Sequence, residues 1–176
     1  TTLFRSYDHT GNVAECKKTS GARVAVHEAE AENLRNGHSG MPAGVTSLGK
    51  FAVGLTKIIG MNGGSFKAVE PDIVITGETC DLREYGFPGV AVHTPSHSAG
   101  SVSVVAEDGS CFPGDILFNF SRKSVMPPVG NNPELLVQHW RRLLELGARR
   151  FYPGHGKPFD RERVEVQLAE MTEGNG

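Results

Sequence analysis

Short apolar runs separated by turn residues dominate the middle of the chain. Residues 72–76, 78–82, 89–93 and 101–107 each carry such a run, and turn sequences such as Glu107-Asp108-Gly109 lie between them. Runs of this length and spacing are typical of strands joined by tight turns. The pattern therefore predicts an antiparallel sheet over residues 72–107.

Helical patterns flank this predicted sheet. The predicted helices cover residues 11–20, 28–36, 134–146 and 160–171, and the predicted flanking strands cover residues 1–6, 23–27 and 149–152. Gly21, Gly37 and Gly147 stand where three of the helices should stop, since glycine readily takes the left-handed conformation that ends a helix. Strands followed by alternating helices and strands predict an α/β sandwich, sheet packed on sheet with helices outside.

The segment 38–66 is punctuated by glycine and carries an apolar patch around residues 51–59. We favour a connection that packs one short helix. The alternative is a mobile lid over a substrate pocket, because lids often combine glycine hinges with apolar residues.

Composition narrows the class of protein. The 176 residues carry a net charge of −2, which gives no reason to expect nucleic acid or an anionic membrane surface as a partner. One domain, 1–176, is the expectation for this length. The three cysteines, Cys16, Cys80 and Cys111, are scattered, so we expect small buried residues in a reducing, cytoplasmic compartment. No apolar run approaches 18 residues, the length expected of a membrane span.

Four predicted strand-end loops carry histidine or aspartate beside glycine. They are residues 7–12 with Asp8 and His9, 93–101 with His93 and His97, 112–118 with Asp115, and 151–156 with His155. Imidazole and carboxylate ligands suit zinc, iron or manganese, and catalytic metal sites recruit ligands from several strand ends. An aspartate in an apolar strand is costly unless it is paired or coordinated. By contrast, we interpret His27, His139 and Trp140 as capping or packing residues.

These loops resemble, in order and spacing, the signature of the metallo-β-lactamase superfamily. The resemblance runs from Tyr7 to about Phe159 and implies an αββα sandwich. It also implies that His97, Asp115 and His155 are metal ligands together with Asp8 and His9, with Asp115 as the shared carboxylate. His93 would be a neighbour rather than a ligand. The implied cofactor is zinc, one or two ions, with iron or manganese as alternatives.

The first motif departs from the family pattern. Phe4 and Ser6 stand where the family has its first two histidines, so the resemblance implies an impaired first metal site. In the family this motif follows a whole first sheet of several strands, whereas about six residues precede it here. We therefore expect the chain to supply the C-terminal two-thirds to three-quarters of the fold. We expect a second copy or a separate N-terminal segment to complete it.

The implied chemistry is metal-dependent hydrolysis. A zinc-bound water has a pKa near 7, so a metal-bound hydroxide can attack an ester, thioester or amide carbonyl of a small-molecule substrate. Asp8 is the candidate catalytic residue, which would orient the water or accept its proton. A glyoxalase-II-like thioester hydrolase fits the resemblance best. The alternatives are a non-catalytic relative that keeps the fold for binding or assembly, and an iron-dependent oxidoreductase on the same ligands.

Overall fold

The computed structural model describes residues 10–39, 64–121, 124–128, 130, 132 and 134–173. The first described elements are helix α1 (Val13–Ser20), strand β1 (Ala25–His27) and helix α2 (Glu28–Asn36). Both helices end at the predicted glycines, Gly21 with φ of 67° and Gly37 with φ of 63°. His27 caps α2, because its Nδ1 accepts a hydrogen bond from the Ala29 N–H at 3.3 Å. The predicted capping role of His27 is confirmed.

Strands make up most of the remaining described elements, which also include a 3-10 turn and two helices. In chain order they are β2 (His38–Ser39), β3 (Gly64–Ser65), β4 (Ile73–Ile75), β5 (Thr79–Asp81), a 3-10 turn (Leu82–Tyr85), β6 (Gly89–His93), β7 (Val102–Ala106), β8 (Ser110–Asn119), α3 (Glu134–Glu145), β9 (Arg150–Gly156), β10 (Phe159–Asp160) and α4 (Glu162–Glu173). The C-terminal prediction began its helix at residue 160, but that residue ends β10.

The largest sheet in the described part of the chain has the strand order β10-β9-β8-β7-β6-β5. Its neighbours are antiparallel except for β8 and β9, which run parallel. Strands β5, β6 and β7 confirm the predicted antiparallel arrangement. The strand predicted at residues 72–76 is present as β4, but its predicted place in the antiparallel sheet was wrong, because β4 pairs in parallel with β1. Parallel pairing joins residues distant in sequence, so no local turn signal indicates it.

Three buried clusters define the order of the layers. One packs α3 and α4 on one face of the large sheet, with Trp140, Leu143 and Phe151 fully buried. A second, including Ile75 and Val104, lies between the large sheet and the β1–β4 pair. The third packs α1 and α2 beneath β1. The layers therefore run helix, sheet, sheet, helix, as the sequence predicted.

An apolar cavity of about 500 Å³ lies between the two sheets. Ile73 and Ile75 line it from the small sheet, and Val104, Phe112 and Tyr152 line it from the large one. The inner faces of the sheets are thus not fully packed against each other by the described residues. The predicted pairing with a second copy or a separate N-terminal segment stays a prediction, and light scattering on the purified chain tests it.

The structure also bears on the cysteines and on membrane insertion. Cys111 is buried, but Cys16 is exposed on α1, so the prediction that all three cysteines are buried was wrong. Helix α1 turns Val13 rather than Cys16 toward the core.

Across the described residues, the helices fall short of the length and apolarity that crossing a bilayer requires. The predicted strand at 1–6 and most of the glycine-rich segment 38–66 lie outside the described residues.

Candidate metal centre

Asp115 is the centre of the candidate site. It lies in β8 beside Ile116 and Leu117, which are fully buried, and is itself 1% exposed. One of its carboxylate oxygens, Oδ2, lies 3.5 Å from Nε2 of His97. The other, Oδ1, lies 3.6 Å from Nε2 of His155. The structure therefore brings together three predicted ligands that are separated by up to 58 residues (155 minus 97) in the sequence.

A network of hydroxyl groups shapes the loop that presents His97. The loop joins the antiparallel strands β6 and β7, and the Thr94 N–H donates to the Ser101 carbonyl at 2.8 Å across its base. The Ser98 N–H donates to the Ser101 Oγ at 2.9 Å, while the Thr94 and Ser103 hydroxyls lie 3.0 Å apart. These hydroxyl residues are buried and bond one another. The small polar residues of the motif therefore hold His97 in place inside the fold, where water cannot satisfy the loop backbone.

His155 comes from the strand next to Asp115. The parallel register of β8 and β9 pairs Phe118 with His155 and Asn119 with Gly156. Gly156 has φ of 99°, and a Cβ there would overlap the Asn119 carbonyl. Glycine is therefore required after His155, because both the backbone conformation and the close strand approach exclude a side chain. Unlike the other two residues, His155 is partly open to solvent, with 29% of its side chain exposed.

Aromatic rings flank His155. The Phe118 ring centroid lies 4.7 Å from the His155 ring, and the Phe120 ring lies 5.8 Å from it. Phe118 is buried, but Phe120 is 71% exposed. Ser121, the next residue, is held by Arg163, whose Nη2 donates to the Ser121 carbonyl at 2.7 Å. The side of the site that is open to solvent thus carries the apolar ring of Phe120, next to a residue whose backbone carbonyl is bonded by Arg163.

The other histidines near the loop have structural contacts. His93 stacks on His27 with ring centroids 3.6 Å apart, and its Nε2 lies 2.8 Å from the Ala99 carbonyl. Burial, and then the neighbouring His93, lower the pKa of His27. His139 Nδ1 lies 3.2 Å from the Ser96 hydroxyl, and burial lowers the pKa of His139. These contacts fit the prediction that His27 and His139 pack rather than ligate.

The donor set fits a divalent transition metal. Two ligand atoms bound at about 2.1 Å to one tetrahedral zinc ion are about 3.4 Å apart, close to both measured distances. The two oxygens of Asp115 face different imidazoles, which suits a carboxylate shared between adjacent ions. Within the described ranges, however, no group of three or more histidine, cysteine, aspartate or glutamate side chains makes up a cation site by itself. The predicted ligands Asp8 and His9 lie outside those ranges, so their roles stay predictions.

Sequence reasoning missed Glu30, which supports the His97 loop. The sequence patterns predicted only a helix over residues 28–36, yet Glu30 is only 5% exposed and shares its buried face with Ala31 and Leu34. The available signal was the position of Glu30 four residues before Leu34, on the apolar side of the helix. Phe120 was missed as well, since one aromatic residue at a strand end has no distinctive pattern.

Comparison with known proteins agrees with this fold. The sequence profile of the metallo-beta-lactamase superfamily matches residues 7–155, and the chain belongs to that superfamily. The human acyl-coenzyme A thioesterase MBLAC2 is 30% identical over 166 residues, which are 90% of this chain and 56% of that protein. Bovine MBLAC2 matches to the same extent. The chain thus spans little more than half the length of these curated relatives.

Solved structures show the same architecture. The BLEG-1 B3 metallo-beta-lactamase superposes with a TM-score of 0.68 and 24% identity, over 97% of this chain and 76% of that one. The protein TTHA1623, solved in a di-iron-bound form, gives a TM-score of 0.60 and 22% identity, over 94% of this chain and 73% of that one. At these identities the likeness establishes the fold.

Proposed function

We propose that this chain carries the catalytic centre of a metal-dependent hydrolase that acts on thioesters. The observation that carries the proposal is the placement of buried Asp115 between His97 and His155, with one carboxylate oxygen facing each imidazole. Membership of the superfamily and the similarity to an acyl-coenzyme A thioesterase support hydrolysis and the thioester class.

His97, Asp115 and His155 would hold the metal, together with donors from the Asp8-His9 segment. A divalent ion bound there supplies a water of lowered pKa and polarises a carbonyl oxygen. The protein excludes bulk water around Asp115 and His97, whose side chains are both 2% exposed. This strengthens electrostatic interactions at the reacting carbonyl. Overall, water adds to the carbonyl carbon, the carbon–sulfur bond breaks, and the thiol leaves with a proton.

The aromatic rings suggest how the substrate lies. His155 is the solvent-facing member of the three residues, and Phe118 and Phe120 contact its ring. An apolar acyl group could lie against Phe120, because burying apolar surface there gains free energy in proportion to the area removed from water. The thiol portion would then extend toward solvent.

The test starts with elemental analysis of protein purified without a chelator or a metal-affinity step. Thioester hydrolysis is then measured with a thiol-detecting reagent before and after chelation and after zinc is restored. Asp115→Asn should lose bound metal and activity, while Asp108→Asn, an exposed aspartate on the β7–β8 turn, should lose neither. A metal-containing protein that hydrolyses no ester, thioester or amide would contradict the proposal.

The same experiment separates the alternatives. Iron content with oxygen consumption would favour an oxidoreductase, because imidazole and carboxylate do not by themselves choose zinc over iron. No bound metal after purification and reconstitution would favour a binding or assembly role.

The first-motif departure gives an independent test of stoichiometry. Phenylalanine cannot ligate and a serine hydroxyl is a weaker zinc ligand than imidazole, so we expect at most one tightly bound ion per chain. The double variant Phe4→His with Ser6→His should raise the metal content and the rate of thioester hydrolysis. An unchanged metal content would mean that these positions do not correspond to the family's first two histidines.

A further inference from the structure

Glu30 is a buried acid that contacts the loop carrying His97. Its Oε1 accepts a hydrogen bond from the Gly100 N–H at 3.2 Å, and its Oε2 accepts one from the Asn33 side-chain amide at 2.7 Å. Burying a carboxylate is costly unless hydrogen bonds compensate for the lost water. An apolar residue would suit the inner face of α2 better than this acid, so a role for Glu30 outside the helix is indicated.

The fit between Glu30 and Gly100 is close. A Cβ at Gly100 would overlap the Glu30 Cγ. The backbone of Gly100 itself does not have a positive φ. Glycine is therefore needed at this position because the Glu30 side chain fills the space, not because of an unusual backbone conformation. The two residues form one contact, in which the Glu30 side chain occupies the space that a side chain at Gly100 would need.

Gly100 transmits this contact to His97. The Ser98 N–H bonds the Ser101 Oγ, and the Ser101 N–H bonds the Ser98 carbonyl at 3.2 Å, so the turn that contains Gly100 closes directly behind His97. The start of the loop is held by the same helix, because the N-cap residue His27 stacks on His93. Helix α2 and its N-cap residue thus contact the loop near both of its ends.

We propose that Glu30 is a positioning residue for the metal centre, which sets the place of the His97 imidazole by holding the Gly100 backbone. The proposal rests on the assignment of His97 as a ligand, but the Glu30–Gly100 contact is testable without any metal. Outer-shell residues that orient a ligand typically change metal affinity by about 10- to 100-fold when they are removed.

The first measurement is zinc affinity by competition with a chromophoric chelator. Glu30→Ala should weaken zinc binding by about 10- to 100-fold. Glu30→Gln keeps an oxygen that can accept from Gly100 and should recover most of that loss. The surface control is Glu32→Ala on the same helix, where the side chain is 75% exposed. It should bind zinc as the parent protein does.

A second control separates positioning from general destabilisation. Leu34→Ala removes a buried side chain from the same helix, 3% exposed, without touching the loop. It should lower the unfolding temperature at least as much as Glu30→Ala does but leave zinc affinity within about threefold of the parent, since cavity creation acts mainly on global stability. Equal zinc affinity in Glu30→Ala and the parent, or equal losses in Glu30→Ala and Leu34→Ala, would overturn the proposal.

The third measurement needs no metal. Amide hydrogen exchange by NMR in the metal-free protein should show the Gly100 N–H protected in the parent and in Glu30→Gln, and faster by at least tenfold in Glu30→Ala. If the parent binds no zinc, the ligand assignment fails, and an unchanged Gly100 exchange rate separately refutes the role of Glu30. If Glu30→Ala does not fold, the comparison of Glu30→Gln with Glu30→Asp decides. The shorter aspartate should lose zinc affinity and Gly100 protection while Gln keeps them, and equal behaviour of the two would refute the contact.

Discussion

Replacing Trp140 by phenylalanine tests whether helix α3 anchors the strand that carries Asp115. Trp140 is fully buried, and its Nε1 donates a hydrogen bond to the Ile116 carbonyl at 2.8 Å, one residue beyond Asp115. The variant keeps an aromatic ring but leaves that buried carbonyl without its donor. The perturbation therefore acts on the backbone next to the candidate ligand.

The magnitude follows from two effects. An unsatisfied buried acceptor costs about 1–3 kcal/mol. The smaller ring loses the burial of about three heavy atoms and leaves a void, which adds about 1–2 kcal/mol. We expect Trp140→Phe to lower the free energy of unfolding by about 2–5 kcal/mol, or the unfolding temperature by about 4–20 °C for a chain of this size.

The assay is urea unfolding followed by far-ultraviolet circular dichroism. Trp140 is the only tryptophan in the chain, so the variant has no tryptophan fluorescence to follow. The control is Val166→Ala, a 58% exposed residue on α4, which should change the stability by less than about 0.5 kcal/mol. The reasoning that α3 anchors β8 through this bond would be refuted if Trp140→Phe lost less than about 1 kcal/mol of unfolding free energy, with the slope of that free energy against urea concentration unchanged.

Three further variants test other parts of the site. Gly156→Ala should destabilise more than Gly77→Ala, because both have positive φ but only the former would overlap the neighbouring strand, and equal urea midpoints would argue against that overlap. His27→Asn should keep the helix cap and flatten the loss of stability between pH 7.5 and pH 5.5. The reason is that the lowered pKa of His27 favours its neutral form in the folded protein. The contribution of His27 to the free energy of unfolding is therefore present above pH 6.5, the unfolded value, and declines as the pH falls through that value. Urea unfolding at both pH values checks this, and a pH dependence of stability like the parent's would refute it. Phe120→Ser should raise KM for long-chain thioesters more than for acetyl thioesters, whereas Phe87→Ser, on the cavity between the sheets, should not shift this preference; loss of the preference in both variants, or in neither, would contradict an acyl contact at Phe120.

Local signals in the sequence predicted much of the fold. The bounds of α2, the stop at Gly147 and the antiparallel strands β5 to β7 follow from capping residues, helical periodicity and turns, which act between near neighbours. The pairing of β4 with β1 was not predictable in this way, since it depends on contacts between residues 48 positions apart, as Ala25 and Ile73 are.

The candidate site divides along the same line. The Asp115 and His155 contexts were visible as an acid in an apolar run and a histidine between glycines, and the structure places Asp115 beside both His97 and His155. The Glu30 contact was not visible, because the position of Glu30 four residues before Leu34 indicates the buried side of the helix but not which loop packs there. Global packing, rather than local propensity, turns that carboxylate toward Gly100.

The parallel pairing of β8 with β9 has a consequence for how this protein can diversify. Two parallel neighbours need a long crossover, and here it contains α3 and everything between Asn119 and Arg150. The pairing of the adjacent strands fixes the spacing of Asp115 and His155. Insertions or deletions in the crossover would therefore not change that spacing. Because Phe120 begins the crossover, changes of loop length and sequence there would alter the proposed acyl contact while the paired strands that carry Asp115 and His155 stay in place. Exchanging crossovers between relatives therefore tests whether this segment governs the choice of substrate.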